Sequence, residues 1–300
     1  MKTFQLALAA AASIAAAAIP AGESQAGPII ALSVSSGSAQ LLTFDESSPG
    51  TTSSVALSGL LAGDSLVGID IRPSNNLLYG VAQGASANAN IYTIDRTSGV
   101  ATLSSMLSTG LAGTFFGVDF NPVADRLRIV SDTGQNLRVN VDTMVGNTIV
   151  DGTLAYVTGD PNFGVLPQVV AAAYTNSFAG ATSTALFDFD QATQSLVQQV
   201  PANDGTLTTI VGSQEPIFGQ VAFDIQGGTN GAFAIFNGSD FGSLDFNTGA
   251  LNFIGTVAST GTIIDIAAVA VPEPSSFAVL GLVAAGAAYR RRRKATLAAV

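Results

Sequence analysis

The chain reads as an all-β protein: a β-propeller-like repeat of about five four-stranded blades, closed by its C-terminal strand. Three features of the sequence predict this. First, an apolar strand ending in Asp recurs at Leu42–Asp45, Tyr92–Asp95, Leu137–Asp142, Leu186–Asp190 and Gly242–Asp245, with spacings of 50, 47, 48 and 55 between the aspartates. Turn sequences such as Arg96-Thr97-Ser98-Gly99 and Phe246-Asn247-Thr248-Gly249 follow, and then another apolar run, which reads as strand, tight turn, strand. Second, a strand carrying a buried-type Asp precedes many of these units, as in Gly68-Ile69-Asp70-Ile71-Arg72-Pro73, Gly117-Val118-Asp119-Phe120-Asn121-Pro122 and Val221-Ala222-Phe223-Asp224-Ile225. A Pro just past a strand costs little, because the ladder has ended there. A period near 48 residues fits a propeller blade better than a solenoid coil. Third, the first unit begins at Ile29 without its Asp-bearing strand, and Thr262–Val269, containing Asp265, has the pattern of the missing one. Such a strand would complete the first blade and remove an open edge. Two alternatives stay open: six blades, since the fourth unit near Val169–Val211 is the least regular, and a β-sandwich.

Both ends of the chain read as addresses. Lys2 precedes an uncharged, largely apolar run to Ile19, then Pro20, Gly22 and small residues up to Ala26. This is the pattern of a signal peptide over residues 1–26, forming a helix that is cut after Ala26 and read by Sec-type export machinery. At the other end, Val271-Pro272-Glu273-Pro274 precedes an uncharged run from Ser275 to Tyr289, followed by Arg290, Arg291, Arg292, Arg293 and Lys294. As a helix, 15 residues span about 22 Å, short of the roughly 30 Å apolar core of a bilayer. Such a run implies transient inner-membrane anchoring, with the arginines held on the cytoplasmic side. The order of Pro-Glu-Pro, short apolar helix and arginine cluster over residues 272–294 resembles the PEP-CTERM sorting signal of Gram-negative bacteria. That resemblance implies processing by an exosortase-like membrane protease. Residues 295–300 extend beyond the usual pattern as a tail. Residues 27–271 remain as the propeller-like domain.

Composition narrows the chemistry. The chain of 300 residues has no Cys, His or Trp, which removes thiol nucleophiles, disulfides, Ser-His-Asp triads and His-bound zinc. Between Gly27 and Val271 stand five arginines, no lysine and 19 acidic residues, a net charge of −14. A surface of that sign repels phosphate backbones, so nucleic acid is not an expected partner.

Candidate sites follow from what is left. Asp70, Asp119, Asp224 and Asp265 recur at one place in the repeat. They could ring a central channel and hold Ca2+, the one cofactor this inventory admits. The plainer alternative, which the recurrence favours, is that each accepts N–H groups of the following turn. Arg126, Arg128 and Arg138, with Gln135 and Asn136, form the most polar and least repeat-like stretch. Arginines beside amides can grip a carboxylate or an array of sugar hydroxyls. The favoured alternative is an ion-pair network with Asp119, Asp125 or Asp132. Asp188 and Asp190 share a strand face and are the one pair that could serve glycoside chemistry, although alternating acids also arise on any solvated sheet face.

The stretches Phe116–Asn140, Asp151–Tyr156, Ala172–Asn176 and Asn203–Leu207 together resemble a bacterial family of secreted proteins built on a domain of unknown function. The resemblance implies a propeller-like body and supplies no catalytic residues. The expected function is therefore that of an exported, cell-surface or matrix-associated binding or structural protein rather than an enzyme, with extracellular polysaccharide as the candidate partner. A carboxylate-based polysaccharide hydrolase or lyase is the alternative.

Overall fold

A computed structural model describes residues 27–84, 89–145, 147–213 and 216–271. The signal segment ending at Ala26 lies outside these residues, as do the Pro272–Pro274 motif, the short C-terminal apolar run and Arg290–Arg293. Among the described residues no helix is long and apolar enough to cross a membrane.

The polypeptide forms five antiparallel blades in chain order. Strands β1 (Pro28–Ser35), β2 (Ser38–Asp45) and β3 (Thr52–Ala56) open the first blade. The second comprises β4 (Ser65–Arg72), β5 (Leu77–Gln83), β6 (Ala89–Ile94) and β7 (Ala101–Met106). The third comprises β8 (Phe116–Asn121), β9 (Arg126–Ser131), β10 (Asn136–Val139) and β11 (Thr148–Val150). In the fourth, β12 (Ala155–Tyr156) precedes β13 (Val169–Tyr174), β14 (Leu186–Asp190), β15 (Ser195–Gln199) and β16 (Thr206–Gly212). The fifth comprises β17 (Ala222–Ile225), β18 (Ala232–Phe236), β19 (Asp240–Asp245) and β20 (Ala250–Thr256). Strand β21 (Thr262–Ala268) then returns to pair antiparallel with β1, with Ile29 opposite Ala268 and Leu32 opposite Asp265. The first blade is thus built from both ends of the domain, as the sequence pattern anticipates.

The innermost strands β4, β8, β13, β17 and β21 each touch the next, and β21 touches β4, so the ring is closed. Between blades lie apolar clusters. Ile30, Leu41 and Ala267 meet Leu66, Ile69 and Tyr92 between blades 1 and 2. Tyr79, Val81 and Ile91 meet Val118, Phe120 and Leu127 between blades 2 and 3. Phe189 packs edge-on against Phe223 and Phe236 between blades 4 and 5, and Phe44 against Phe241 between blades 5 and 1. At the remaining interface, blade 3 contributes only Val130 to the apolar cluster of blade 4, and a polar network takes over.

The fourth blade departs from the repeat. Leu186–Asp190 is its second strand, whereas Asp45, Asp95 and Asp245 close the third strands of blades 1, 2 and 5. The shared feature is the turn. Asp45 accepts the N–H of Ser47, Asp95 those of Thr97 and Ser98, Asp245 that of Asn247, and Asp190 that of Ala192. An Asp at a strand end marks a local turn, not a fixed place in a blade. A fifth strand, β12, pairs parallel with β16 at the outer edge.

Candidate functional site

Two polar assemblies lie inside the propeller, one on the axis and one between blades 3 and 4. The axial assembly uses four of the five innermost strands. Asp70 on β4, Asp119 on β8, Asp224 on β17 and Asp265 on β21 are all buried, while β13, with the sequence Val-Val-Ala-Ala-Ala-Tyr, carries no acid. Each carboxylate reaches to the neighbouring blade. Oδ2 of Asp70 accepts the N–H of Phe120 at 2.7 Å, that of Asp119 the N–H of Tyr174 at 3.0 Å, that of Asp224 the N–H of Ala268 at 2.6 Å, and that of Asp265 the N–H of Ile69 at 2.8 Å. Oδ1 of Asp70, Asp224 and Asp265 accepts the N–H of the residue that follows it. The expectation of turn-capping aspartates is corrected here. These side chains satisfy backbone N–H groups, but chiefly those of the next blade, so they stitch the ring together.

Close packing of the innermost strands explains the glycines two places before the acids. A Cβ at Gly117 would lie 2.5 Å from the backbone N of Ala172, and one at Gly68 would lie 2.5 Å from a Val118 methyl and 2.8 Å from Asp265 Oδ2. Removal from water disfavours a charged carboxylate. Burial, then repulsion from Asp224, pushes the Asp70 carboxyl well above its usual range, and burial, then repulsion from Asp70 and Asp224, does the same to Asp119. Burial raises Asp265 strongly, and Asp224 to about 6. Carboxylate oxygens of Asp70, Asp119 and Asp224 all lie within 4.8 Å of one another. Blades 2, 3 and 5 can meet so closely only on the axis. These three could hold a hard cation through oxygen ligands. Gln220, just before β17, links blades 3, 4 and 5: its Oε1 accepts the N–H of Phe116, and its Nε2 donates to the carbonyls of Phe116 and Val170 at 2.9 and 2.7 Å.

The second assembly centres on Arg128, which is 1% exposed. Its Nη1 donates to Asn136 Oδ1 at 2.7 Å and Asp151 Oδ2 at 2.6 Å, its Nη2 to Asn203 Oδ1 at 2.7 Å, and its Nε to the Tyr174 hydroxyl at 3.3 Å. Arg138 forks onto the same Asp151 carboxylate at 2.7 and 2.9 Å. Burial alone would raise Asp151, but the two guanidiniums outweigh it and hold the carboxyl below its usual range. The amide of Asn136 donates to the carbonyls of Gly152 and Ala202, and Gln135 bridges Ala112 N–H and the Gly110 carbonyl. Arg126 stands apart and donates to the carbonyls of Ala124 and Asp125.

Four of the five residues expected to grip a ligand, Arg128, Arg138, Gln135 and Asn136, therefore spend their polar atoms on the protein itself. The ion-pair alternative describes this arrangement, with a correction of partner: Asp151 takes both arginines, and Asp125 is taken by Arg72. Arg72 also binds Asp142, joining blades 2 and 3.

Asp188 and Asp190 are fully buried, so they flank no surface on which a polymer could lie. Asp190 accepts from the hydroxyls of Tyr156 and Thr193 and from the N–H groups of Gln168 and Ala192. Asp188 has no hydrogen-bond partner, and burial pushes its carboxyl well up. A groove of about 400 Å3 between blades 1 and 2 is lined by Asp64 as its one ionisable residue. That carboxylate accepts from Asn90 and from Tyr92, whose hydroxyl burial raises to about 12.

Sequence reasoning missed the roles of Gln220, Asp151, Asn203 and Tyr174; the last three lie in stretches that carry the family resemblance, but nothing local pairs them with Arg128. It also missed Phe163, Leu166 and Phe218, exposed at 58%, 85% and 81%. These stand on loops before β13 and β17. Gln191 ties those loops together, its backbone N–H bound to the Gln168 carbonyl and its Oε1 accepting the N–H of Gly219. Large apolar residues beside Gly164, Pro216 and Gly219 were the available signal.

A closed ring of five blades with a buried acidic axis defines the protein as a five-bladed β-propeller. Residues 40–267 match the family described as Domain of unknown function (DUF4394), and residues 270–293 match the PEP-CTERM protein-sorting motif. The chain belongs to the DUF4394 family. It carries the sorting motif of exported, exosortase-processed proteins of the Gram-negative envelope. No curated protein matches the chain. Among solved structures it is similar to a structural-genomics protein of unknown function from Bacteroides thetaiotaomicron, at 15% identity and TM-score 0.45, over 76% of this chain and 61% of that one. It is similar also to TolB from Acinetobacter baumannii, at 12% identity and TM-score 0.43, over 80% and 55%. A third is AofleA from Arthrobotrys oligospora, at 14% identity and TM-score 0.44, over 80% and 70%. The match thus spans about three fifths of the first structure's length and just over half of the second's.

Proposed function

We propose that this propeller is a non-enzymatic binding protein displayed at the cell surface, taking neutral extracellular polysaccharide on the loops that carry Phe163, Leu166 and Phe218. The observation that carries this reading is the contrast between interior and surface. Arg72, Arg128 and Arg138 are committed to internal partners and the axial aspartates are buried away from any ligand surface, whereas large apolar side chains stand in water on two linked loops. Exposed apolar surface of this kind is a feature of interaction sites. An acidic body whose arginines are mostly occupied favours an uncharged polymer over an anionic one. The sorting motif supports delivery to the place where such polymers lie.

The test is co-sedimentation of the exported protein with the producing cell's extracellular polysaccharide. Saturable binding is expected, weakened about tenfold by Phe218→Ala, the scale of a single hot-spot contact. Release of shorter chains or new reducing ends would replace this reading with the hydrolase. No binding, or binding indifferent to Phe163→Ala and Phe218→Ala, would remove it.

A further inference from the structure

We propose that the propeller axis binds one Ca2+ ion between the carboxylates of Asp70, Asp119 and Asp224. Three features converge on this. The first is size. Three oxygens no more than 4.8 Å apart leave a central ion at most about 2.8 Å from each, which gives room for Ca2+–oxygen bonds of roughly 2.3–2.6 Å, whereas Mg2+ demands a tighter octahedral shell and sheds water reluctantly.

The second is an unfilled acceptor. In Asp70, Asp224 and Asp265 the second oxygen takes the N–H of the next residue. In Asp119 that N–H, on Phe120, has already been given to Asp70. Oδ1 of Asp119 is left buried with no hydrogen-bond partner, in the residue whose carboxyl groups with those of the other two. Orphaned buried acceptors are costly, and a cation is the partner that three converging carboxylates call for.

The third is charge. None of the ion pairs among the described residues involves an axial aspartate, so the arginines do not neutralise the cluster. Charge buried without compensation is very unfavourable. The backbone N–H bonds to Asp70 and Asp224 pre-arrange their carboxylates, so an ion entering the axis finds ligands already placed. Water completes the coordination shell. A bound ion would join blades 2, 3 and 5 at one point, reinforcing the stitches between neighbours.

The competing arrangement is a set of shared protons, and the experiment separates the two. The full chain is stripped with chelator and exchanged into metal-free buffer at pH 7.5. It is then titrated with Ca2+ and with Mg2+ by calorimetry, and its thermal midpoint is read in parallel. The expected result is one Ca2+ per chain, with a dissociation constant at or below about 1 mM, the weak end for extracellular calcium modules. Mg2+ should bind at least about tenfold more weakly, and the midpoint should rise with Ca2+. Asp119→Asn keeps the acceptor for the Tyr174 N–H and supplies an amide that can donate to a neighbouring carboxylate. It should abolish the Ca2+ response while leaving the metal-free midpoint unchanged or higher. If that variant does not fold, Asp224→Asn serves the same purpose. Absence of Ca2+ binding up to 10 mM, with equal midpoints with and without chelator, would overturn the proposal in favour of shared protons. So would a calcium response that survives Asp119→Asn and Asp224→Asn.

Discussion

Arg128 shows how little a residue's identity reveals of its task. Its strand neighbours and its two companions, Arg126 and Arg138, stand out in the sequence as a basic patch in an acidic chain. What they bind is set elsewhere: Asp151 follows β11, Asn203 lies 75 residues away in blade 4, and Tyr174 closes β13. Nothing local pairs these residues with Arg128, because Asn203 and Tyr174 meet it only once blades 3 and 4 are docked, and Asp151 only once β9 and β11 stand in one sheet. Removing one partner of a buried pair strands the other. Arg128→Ala is therefore expected to cost about 3–5 kcal/mol in urea denaturation, and a loss below about 1 kcal/mol would mean the network contributes little. Asp188 is a cleaner case at this scale. It faces the Arg128 charge, which favours ionisation, and that of Asp190, which opposes it, but burial dominates and raises its pKa. A carboxyl raised in the folded state stabilises the fold at pH values below the unfolded pKa. That stability is lost as pH rises toward the folded value. Asp188→Asn should match the wild type near pH 4 and exceed it at pH 8 in thermal midpoint. A wild type that is the more stable at pH 8 would show an ionised Asp188 paired with Arg128.

At the scale of elements, the sequence made the blade legible and one strand misleading. The Asp-ended strands and the Gly-x-Asp strands follow local rules of turn chemistry and close packing, so they recur visibly. The extra strand β12, and the placement of β14 as a second strand, depend on which edges are free after the ring closes, and no local rule encodes that. The glycine of the Gly-x-Asp strand is expected to be intolerant. Gly117→Ala puts a Cβ against the backbone of Ala171 and Ala172, where strand separation leaves nothing flexible to yield. A cost of roughly 1–3 kcal/mol from overpacking should appear in chemical denaturation, and a neutral effect would mean that β8 and β13 can move apart. Gly37, at positive φ and open to solvent, would by contrast show strain without a clash.

For the whole molecule, acid tolerance should be set by the ion pairs, those of Arg72 between blades 2 and 3 and those of Asp151 within blade 3. The Arg72 guanidinium holds Asp125 and Asp142 below their usual range, and Arg138 with Arg128 does so for Asp151. Carboxylates lowered in the folded state stabilise it above the unfolded pKa near 4, and that contribution disappears as pH falls through their folded values. Unfolding midpoints measured from pH 5 to pH 2 should fall, and Arg72→Met should flatten the fall. An unchanged slope would place the acid sensitivity elsewhere.

The two ends of the propeller domain are neighbours. A Cβ on Gly27 would strike the Val271 side chain, and the Val269 N–H is bonded to the Pro28 carbonyl. The sorting motif begins at residue 270, directly after the strand that completes blade 1. Any pull on an anchored tail would load the β21–β1 ladder at its last rung and peel it bond by bond rather than shear it. The ring's latch thus adjoins the start of the sorting motif, and a pull through that point stronger than the ladder would open the propeller before any covalent bond yields.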